Sequence, residues 1–232
     1  MSHLNGATVI HNIIFGEDSL FNHATCILTK YVNPLEIIET VENLFSSLKL
    51  QPCIYVSPLD NSRDLEKIML QRGYILYDEL ITMECEINGE VLSNEAVAIQ
   101  KINRSETEEW CRAFILAFDI DKSWEDEVNN RVKSLISRPE VNLLAVYKEQ
   151  RIVGTTALYS TEKKSGIYCV GTLPSERRSG IASKLISGSL SEINLLGHRN
   201  LCLQTLRSAN VEKFYIKRGF NHRYTKRIYV KG

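Results

Sequence analysis

Between Val141 and Ser160 the chain reads VNLLAVYKEQRIVGTTALYS, two largely apolar runs around the polar pair Glu149-Gln150, which predicts a β-hairpin. The same alternation of apolar and polar positions organises the rest of the second half. AVAIQKIN (96–103) predicts a strand, and Ser105 with Glu108 three positions on carries the capping-box signature of a helix running through Phe118. A second helix is expected over 123–136, broken by Arg138-Pro139. SGIYCVGTLP (165–174) reads as a strand, followed by a helix from about Ser179 to Leu196. The strand NLCLQTL, the short helix ANVEKFYIKRG and the last strand HRYTKRIYV complete the pattern. The resulting order, β-α-α-β-β-β-α-β-α-β, predicts a mixed α/β domain of about 135 residues.

A polar stretch, EINGEVLSNEAVA (86–98), contains the turn pair Asn88-Gly89 and separates this half from the first. A boundary is expected near residue 95, giving a smaller N-terminal α/β domain (1–95) and a larger domain (96–232). The first half echoes the end of the second. QPCIYVSP, a helical NSRDLEKIMLQ and RGYILYDELITMECEI run parallel to NLCLQTL, ANVEKFYIK and RGFNHRYTKRIYV. Arg72-Gly73-Tyr74 then corresponds to Arg218-Gly219-Phe220, as expected of a degenerate duplication.

Composition narrows the class. Hydrophobic residues make up 44% and charged residues 24%, as in ordinary folded proteins. Lys plus Arg and Asp plus Glu balance at 28 each, so the chain lacks the basic field of a typical nucleic-acid binder, and no nucleic-acid partner is expected. The N-terminus MSHLNGATVIHNIIFGEDSLF has no charged-then-apolar leader pattern, and no apolar run is long enough to span a bilayer; the expectation is a cytoplasmic protein without a membrane partner. The six cysteines, Cys26, Cys53, Cys85, Cys111, Cys169 and Cys202, form no C-x-x-C pair; they are expected to be buried free thiols, with no metal site.

The chemistry concentrates in VGTLPSERRSGIASKLI (170–186). A helix start exposes unpaired N–H groups and the positive end of a dipole, which suits an anion. Gly180 allows positive φ and close backbone approach, Ala182 keeps the first turn slim, and the guanidinium groups of Arg177 and Arg178 oppose the dipole unless an anion offsets them. Neither G-x-x-x-x-G-K-[ST] nor G-x-G-x-x-G is present, which excludes a Walker loop and a dinucleotide fingerprint.

This run resembles the cofactor motif of the GNAT superfamily of N-acetyltransferases, [QR]-x-x-G-x-[GA] after a strand and at the head of a long helix, with Arg177, Gly180 and Ala182 in the defining positions. SANVEKFYIKRGF is similar to a second family segment, N-x-x-A-x-x-x-Y-x-x-x-G-F; Tyr215, Gly219 and Phe220 match, while Ser208 and Val211 replace the usual Asn and Ala. The resemblance spans about 135 residues and implies the GNAT fold, a central mixed, mostly antiparallel sheet flanked by helices. It also implies acetyl-coenzyme A as cosubstrate. Its pyrophosphate would be held by the amides of Arg178, Ser179, Gly180, Ile181, Ala182 and Ser183, with Arg177 and Ser208 contributing. Its pantetheine arm would pair with Val170, Gly171 and Thr172, where Gly171 suits a bulge.

Acetyl transfer to an amine needs a neutral amine, a donor for the developing oxyanion and a proton for the departing thiolate. Tyr215 fits the last role, and a backbone N–H near Val170 the second. The base is open: the strand before the loop has no carboxylate, Cys169 reads as a core thiol, and His222 is a weak candidate, so water can serve. Asp119, Asp121 and Glu125 lie where the resemblance puts the acceptor site. The expected activity is acetylation of a primary amine on a small molecule or peptide. A non-catalytic acyl-coenzyme A sensor is the alternative, and the first half is expected to cover the acceptor cleft, support a homodimer or brace the core.

Overall fold

The computed structural model describes residues 1–16, 18–60, 63–87, 99–162 and 164–232. The expected boundary near residue 95, the turn pair Asn88-Gly89 and the first residues of the strand at 96–103 lie outside them. In chain order the elements are β1 (Ser2–Leu4), β2 (Ala7–Ile10), β3 (His23–Thr25), α1 (Pro34–Ser47), β4 (Cys53–Val56), α2 (Arg63–Gln71) and β5 (Tyr74–Glu86). They continue with β6 (Ile99–Lys101), α3 (Thr107–Phe118), α4 (Glu125–Leu135), β7 (Val141–Lys148), β8 (Arg151–Ser160) and β9 (Ser165–Thr172). Last come α5 (Ile181–Leu195), β10 (Asn200–Leu206), α6 (Glu212–Ile216) and β11 (Asn221–Lys231).

Two compact units form. One comprises Met1–Thr82, Gln204–Lys213 and His222–Gly232; the other comprises Met83–Leu203 and Phe214–Asn221. In the first unit the strands run in the order β1-β2-β3-β4-β11-β5; β1–β2, β2–β3 and β4–β11 are antiparallel and β3–β4 is parallel. Asn33 caps α1, accepting from the Leu35 N–H at 2.9 Å, and Pro34 supplies a preset φ at the first helical position. Ile37, Ile38, Val41 and Phe45 then fall on one face and are buried with Val9, Ala24, Ile54, Leu65, Met69 and Tyr229.

In the second unit the order is β10-β9-β8-β7-β6, with only β9 and β10 parallel. The protein therefore has the expected mixed α/β fold, with a mostly antiparallel mixed sheet flanked by helices. The hairpin turns where expected: Glu149 and Gln150 both take positive φ, 50° and 66°, between β7 and β8. The core packs Trp110, Cys111, Ala113 and Ile115 of α3 and Val128 and Val132 of α4 with Leu143, Ala145, Ile152, Val153, Ile181 and Leu185. Inside it the Trp110 indole N–H reaches the Leu144 carbonyl at 3.0 Å.

Two expectations are corrected. The capping box is Asn103 with Glu106, not Ser105 with Glu108. Asn103 Oδ1 accepts from the Ser105 N–H, and Glu106 Oε2 accepts from the Asn103 N–H at 2.8 Å. A 3₁₀ turn (Arg104–Glu106) precedes α3, and this shifts the cap upstream. The cysteines form no disulfide, but only Cys53, Cys85 and Cys111 are buried; Cys169 and Cys202 are half-buried, and Cys26 is exposed in a left-handed residue just after β3. The sequence echo has a local structural counterpart. Gly73 and Gly219 take φ of 85° and 86°, each after a helix and before a fully buried aromatic, Tyr74 or Phe220.

Candidate functional site

β9 sits between β8 and β10, and its two edges behave differently. On the β10 side the pairing is Leu201 with Ser165 and Cys202 with Gly166, and it stops there. Beyond Gly166 no pairing of β9 with β10 is described, and an edge of this kind can take an extended ligand as an added strand. On the β8 side Thr155 pairs with Gly171 and Ala157 with Tyr168, so β9 carries one extra residue across that interval. The bulge lies at Cys169 and Val170, not at Gly171 as expected. Cys169 is left-handed at φ 55°, and the Thr155 and Thr156 hydroxyls donate to the carbonyls of Cys169 and Tyr168 at 3.2 and 3.0 Å.

Gly171 has a different task. A Cβ there would stand 2.7 Å from Phe118 Cε2 and 2.9 Å from Ala117 Cβ, so its missing side chain is what seats the end of α3 against β9. Thr172 follows with its Oγ1 buried and, among the described residues, without a hydrogen-bond partner. An unmet buried hydroxyl at a strand end is costly unless a ligand or water meets it.

After Leu173 a 3₁₀ turn (Pro174–Glu176) leads into the loop. Arg178 takes φ 64°, uncommon for a residue with a side chain, and Gly180 takes φ 86° as the residue before α5. Space around Gly180 is open, with no atom within 4 Å of where a Cβ would be. The first bond into the helix runs from the Lys184 N–H to the Gly180 carbonyl at 3.0 Å, which leaves the amides of Ile181, Ala182 and Ser183 at the bare start of the helix. No side chain caps this start and no acid lies in the first turn. The nearby Glu176 is held by Lys148 at 3.0 Å. A helix whose positive end carries only cations is the reverse of the usual arrangement, and an anion resolves it.

The two loop arginines are not equivalent. Both are exposed, but Arg177 is anchored, its Nη2 donating to the Ala117 carbonyl at 3.0 Å in the last turn of α3. There the guanidinium meets a helix C-terminus, which favours a cation. Arg178 is exposed. A residue outside the sequence-based set joins them. Arg218 stacks on the Phe214 ring at 3.5 Å, donates from Nη1 to the Phe214 carbonyl at 2.7 Å, and donates from Nη2 to Ser183 Oγ at the third position of α5. Burial pulls its pKa below the ordinary arginine value. In the sequence only its place one residue before Gly219 marks it, and that position carries no expected role.

Tyr215 lies on α6, with Phe214 and Phe220 against its ring at 5.2 and 5.8 Å between centroids. The Arg218 N–H donates to the Tyr215 carbonyl at 2.9 Å, so the turn bearing Tyr215 is tied through Arg218 to the start of α5. Burial raises the Tyr215 pKa above 10.0, partly offset by the Arg218 charge, so its phenol stays protonated at neutral pH.

The remaining candidates have local partners. Ser208 donates its hydroxyl to Asp78 Oδ2 at 2.5 Å, and its N–H to Oδ1 at 3.3 Å, within the first unit. Asp119 is the left-handed C-cap of α3 at φ 53°, one residue beyond Phe118, whose ring lies over Gly171. Asp121 caps the 3₁₀ turn Lys122–Trp124, accepting from the Ser123 N–H at 2.8 Å, and that bond holds its carboxyl below the usual range. Glu125 stands 4.0 Å from Arg112. Cys169 is unsuited to acid–base work near neutrality, since burial pushes its thiol up to about 12. His222 is exposed on β11 and bonds Thr225 Oγ1 at 2.8 Å. Among the described residues no group of three or more His, Cys, Asp or Glu side chains is disposed to hold a metal ion, and no helix is long and apolar enough to cross a membrane.

A family model described as an acetyltransferase (GNAT) domain matches residues 139–222, the stretch that contains β7 to α6. Among solved structures, a GCN5-related N-acetyltransferase from Sphaerobacter thermophilus is similar with a TM-score of 0.77 at 16% identity, over 97% of this chain and 75% of its own. A functionally unknown conserved protein from Staphylococcus epidermidis has a TM-score of 0.75 at 15% identity, over 100% of this chain and 92% of its own. A GCN5-related N-acetyltransferase from Kribbella flavida has a TM-score of 0.64 at 15% identity, over 91% and 81%. At these identities the likeness is one of fold. No curated protein matches the chain.

Proposed function

We propose that the chain is an acetyltransferase of the GNAT superfamily that transfers an acetyl group from acetyl-coenzyme A to a primary amine of a small molecule or peptide, a reading supported by the GNAT domain model over residues 139–222 and by the fold likeness to GCN5-related N-acetyltransferases. The observation that carries this reading is the uncapped, acid-free start of α5, with Arg218 bonded to its third residue and the bulged strand β9 just before it. The amides from Arg178 to Ser183 suit a pyrophosphate, and the free edge of β9 from Val170 to Thr172 suits the amides of a pantetheine arm. The orphaned Thr172 hydroxyl and the open space at Gly180 support the same occupant.

The cosubstrate would supply an activated acetyl thioester. Backbone N–H groups at the Cys169–Val170 bulge, which are displaced from the regular β8 ladder, are the candidates to polarise the thioester carbonyl. Tyr215 keeps its proton at neutral pH and donates it to sulfur as the C–S bond breaks and the C–N bond forms. The amine nitrogen gives its own proton to water. Asp119, exposed at the end of α3 beside the Phe118–Gly171 contact, is the best placed of the three carboxylates to attract a cationic acceptor. Asp121 and Glu125 are engaged in a cap and an ion pair.

The direct test incubates the protein with acetyl-coenzyme A and a panel of amines, polyamines, amino acids and peptides while free thiol is followed. Thiol release that depends on an acceptor is expected. Tight coenzyme A binding with no release for any acceptor class would sink the catalytic reading.

A further inference from the structure

Arg177 occupies the basic position that the loop motif offers an anion, and one of its N–H groups is engaged by the Ala117 carbonyl. The cation bonded to the first turn of α5 comes from a distant part of the chain. We propose that Arg218 is a donor-binding residue, meeting the phosphates at the head of α5 and so joining the donor site to the turn that carries Tyr215. This rests on the reading of that helix start as the donor's phosphate site.

Three observations carry it. The guanidinium is held on two sides, by the Phe214 ring and carbonyl and by Ser183 Oγ, which fixes its plane while leaving further N–H donors free. It is half-buried, and among the described residues no carboxylate forms an ion pair with it. It lies against the third residue of a helix, where the dipole repels a cation. A cation that is partly desolvated, without a counter-ion and at the positive end of a helix is unfavourable on each count, and all three are relieved by one bound anion. Ser183 serves the same end. With Oγ accepting from Arg218, its own O–H is free to donate to the anion. The Arg218 N–H bond to the Tyr215 carbonyl then makes donor binding and the placement of the phenol parts of one arrangement.

The test titrates the full chain and its Arg218→Gln and Arg218→Lys variants with coenzyme A, inorganic pyrophosphate and S-acetylpantetheine, which has no phosphate. Arg218→Gln is expected to weaken coenzyme A and pyrophosphate about tenfold or more while leaving S-acetylpantetheine unchanged. Arg218→Lys should recover part of the loss, since it restores charge without the fork. If the Gln variant does not fold, the Lys variant decides by the same comparison. Equal losses for ligands with and without phosphate, or no loss at all, overturn the proposal while the acetyl-coenzyme A reading stands. Wild-type binding of pyrophosphate but not coenzyme A, with the Gln variant weaker, overturns that reading and keeps Arg218. Binding of neither by the wild type overturns both.

Discussion

Arg177 Nη2 donates to the Ala117 carbonyl at 3.0 Å, and this bond fastens the loop before α5 to the last turn of α3. It makes Arg177 a brace, where a motif-based reading makes it a ligand for phosphate. Arg177→Ala should lower unfolding free energy by about 0.5–1.5 kcal/mol, the range of a single solvent-screened hydrogen bond. Any loss of donor affinity should be the same with and without phosphates on the donor. Denaturant titration together with paired donor binding checks this; a selective loss for the phosphorylated donor would return Arg177 to the ligand set.

Gly171 presses the same junction from the strand side. Gly171→Ala would put a methyl group 2.7 Å from Phe118 Cε2 and 2.9 Å from Ala117 Cβ, so α3 must shift. Overpacking of this kind costs about 1–3 kcal/mol. A melting temperature equal to the wild type would show that the end of α3 yields freely.

Gly180 tests the anion itself. Gly180→Glu places a carboxylate at the bare helix start and should abolish coenzyme A binding. Gly180→Asn, which tolerates φ near 86°, should keep most of it. Calorimetric titration of both variants separates charge from backbone strain, and equal affinities in the two would remove the phosphate assignment.

The cap of α3 gives a stability test independent of ligands. Asn103→Ala removes the acceptor for the Ser105 N–H and should cost about 1 kcal/mol, whereas Glu108→Ala, a substitution at an exposed surface acid paired with Lys133, should cost less. The reverse ranking in denaturant titrations would restore the cap expected from Ser105 and Glu108.

How far the sequence discloses this protein depends on the range of each interaction. Strand β10 and the β7–β8 hairpin are legible because their apolar runs and turn residues are local, and the start of α5 because Gly180 is. Strands β1, β2 and β3, of three or four residues each, carry too little periodicity to stand out. The helix α1 escaped although Asn33-Pro34 announces its start. At the site, the bulge at Cys169 and the anchoring of Arg177 depend on partners on other elements, Thr155 and Ala117, which no local pattern contains. Arg218 is invisible for the same reason, since Ser183 lies 35 positions away in sequence.

Tyr215 carries the sharpest kinetic expectation. Its phenol is held protonated beyond the ordinary range by burial, with the Arg218 charge opposing, so the acid form persists as pH rises through 7 to 9. Over that interval the amine loses its own proton and becomes a better nucleophile, so kcat/KM should climb with pH and fall only above about 10, where a free phenol would ionise. Tyr215→Phe should leave coenzyme A affinity unchanged, because the hydroxyl is asked only to donate to sulfur. It should lower kcat by about 10²–10⁴-fold, the usual range for a lost general acid. The variant should keep the rising limb and lose the alkaline fall. A full rate in Tyr215→Phe, or an alkaline fall that survives the substitution, would assign the proton to another group.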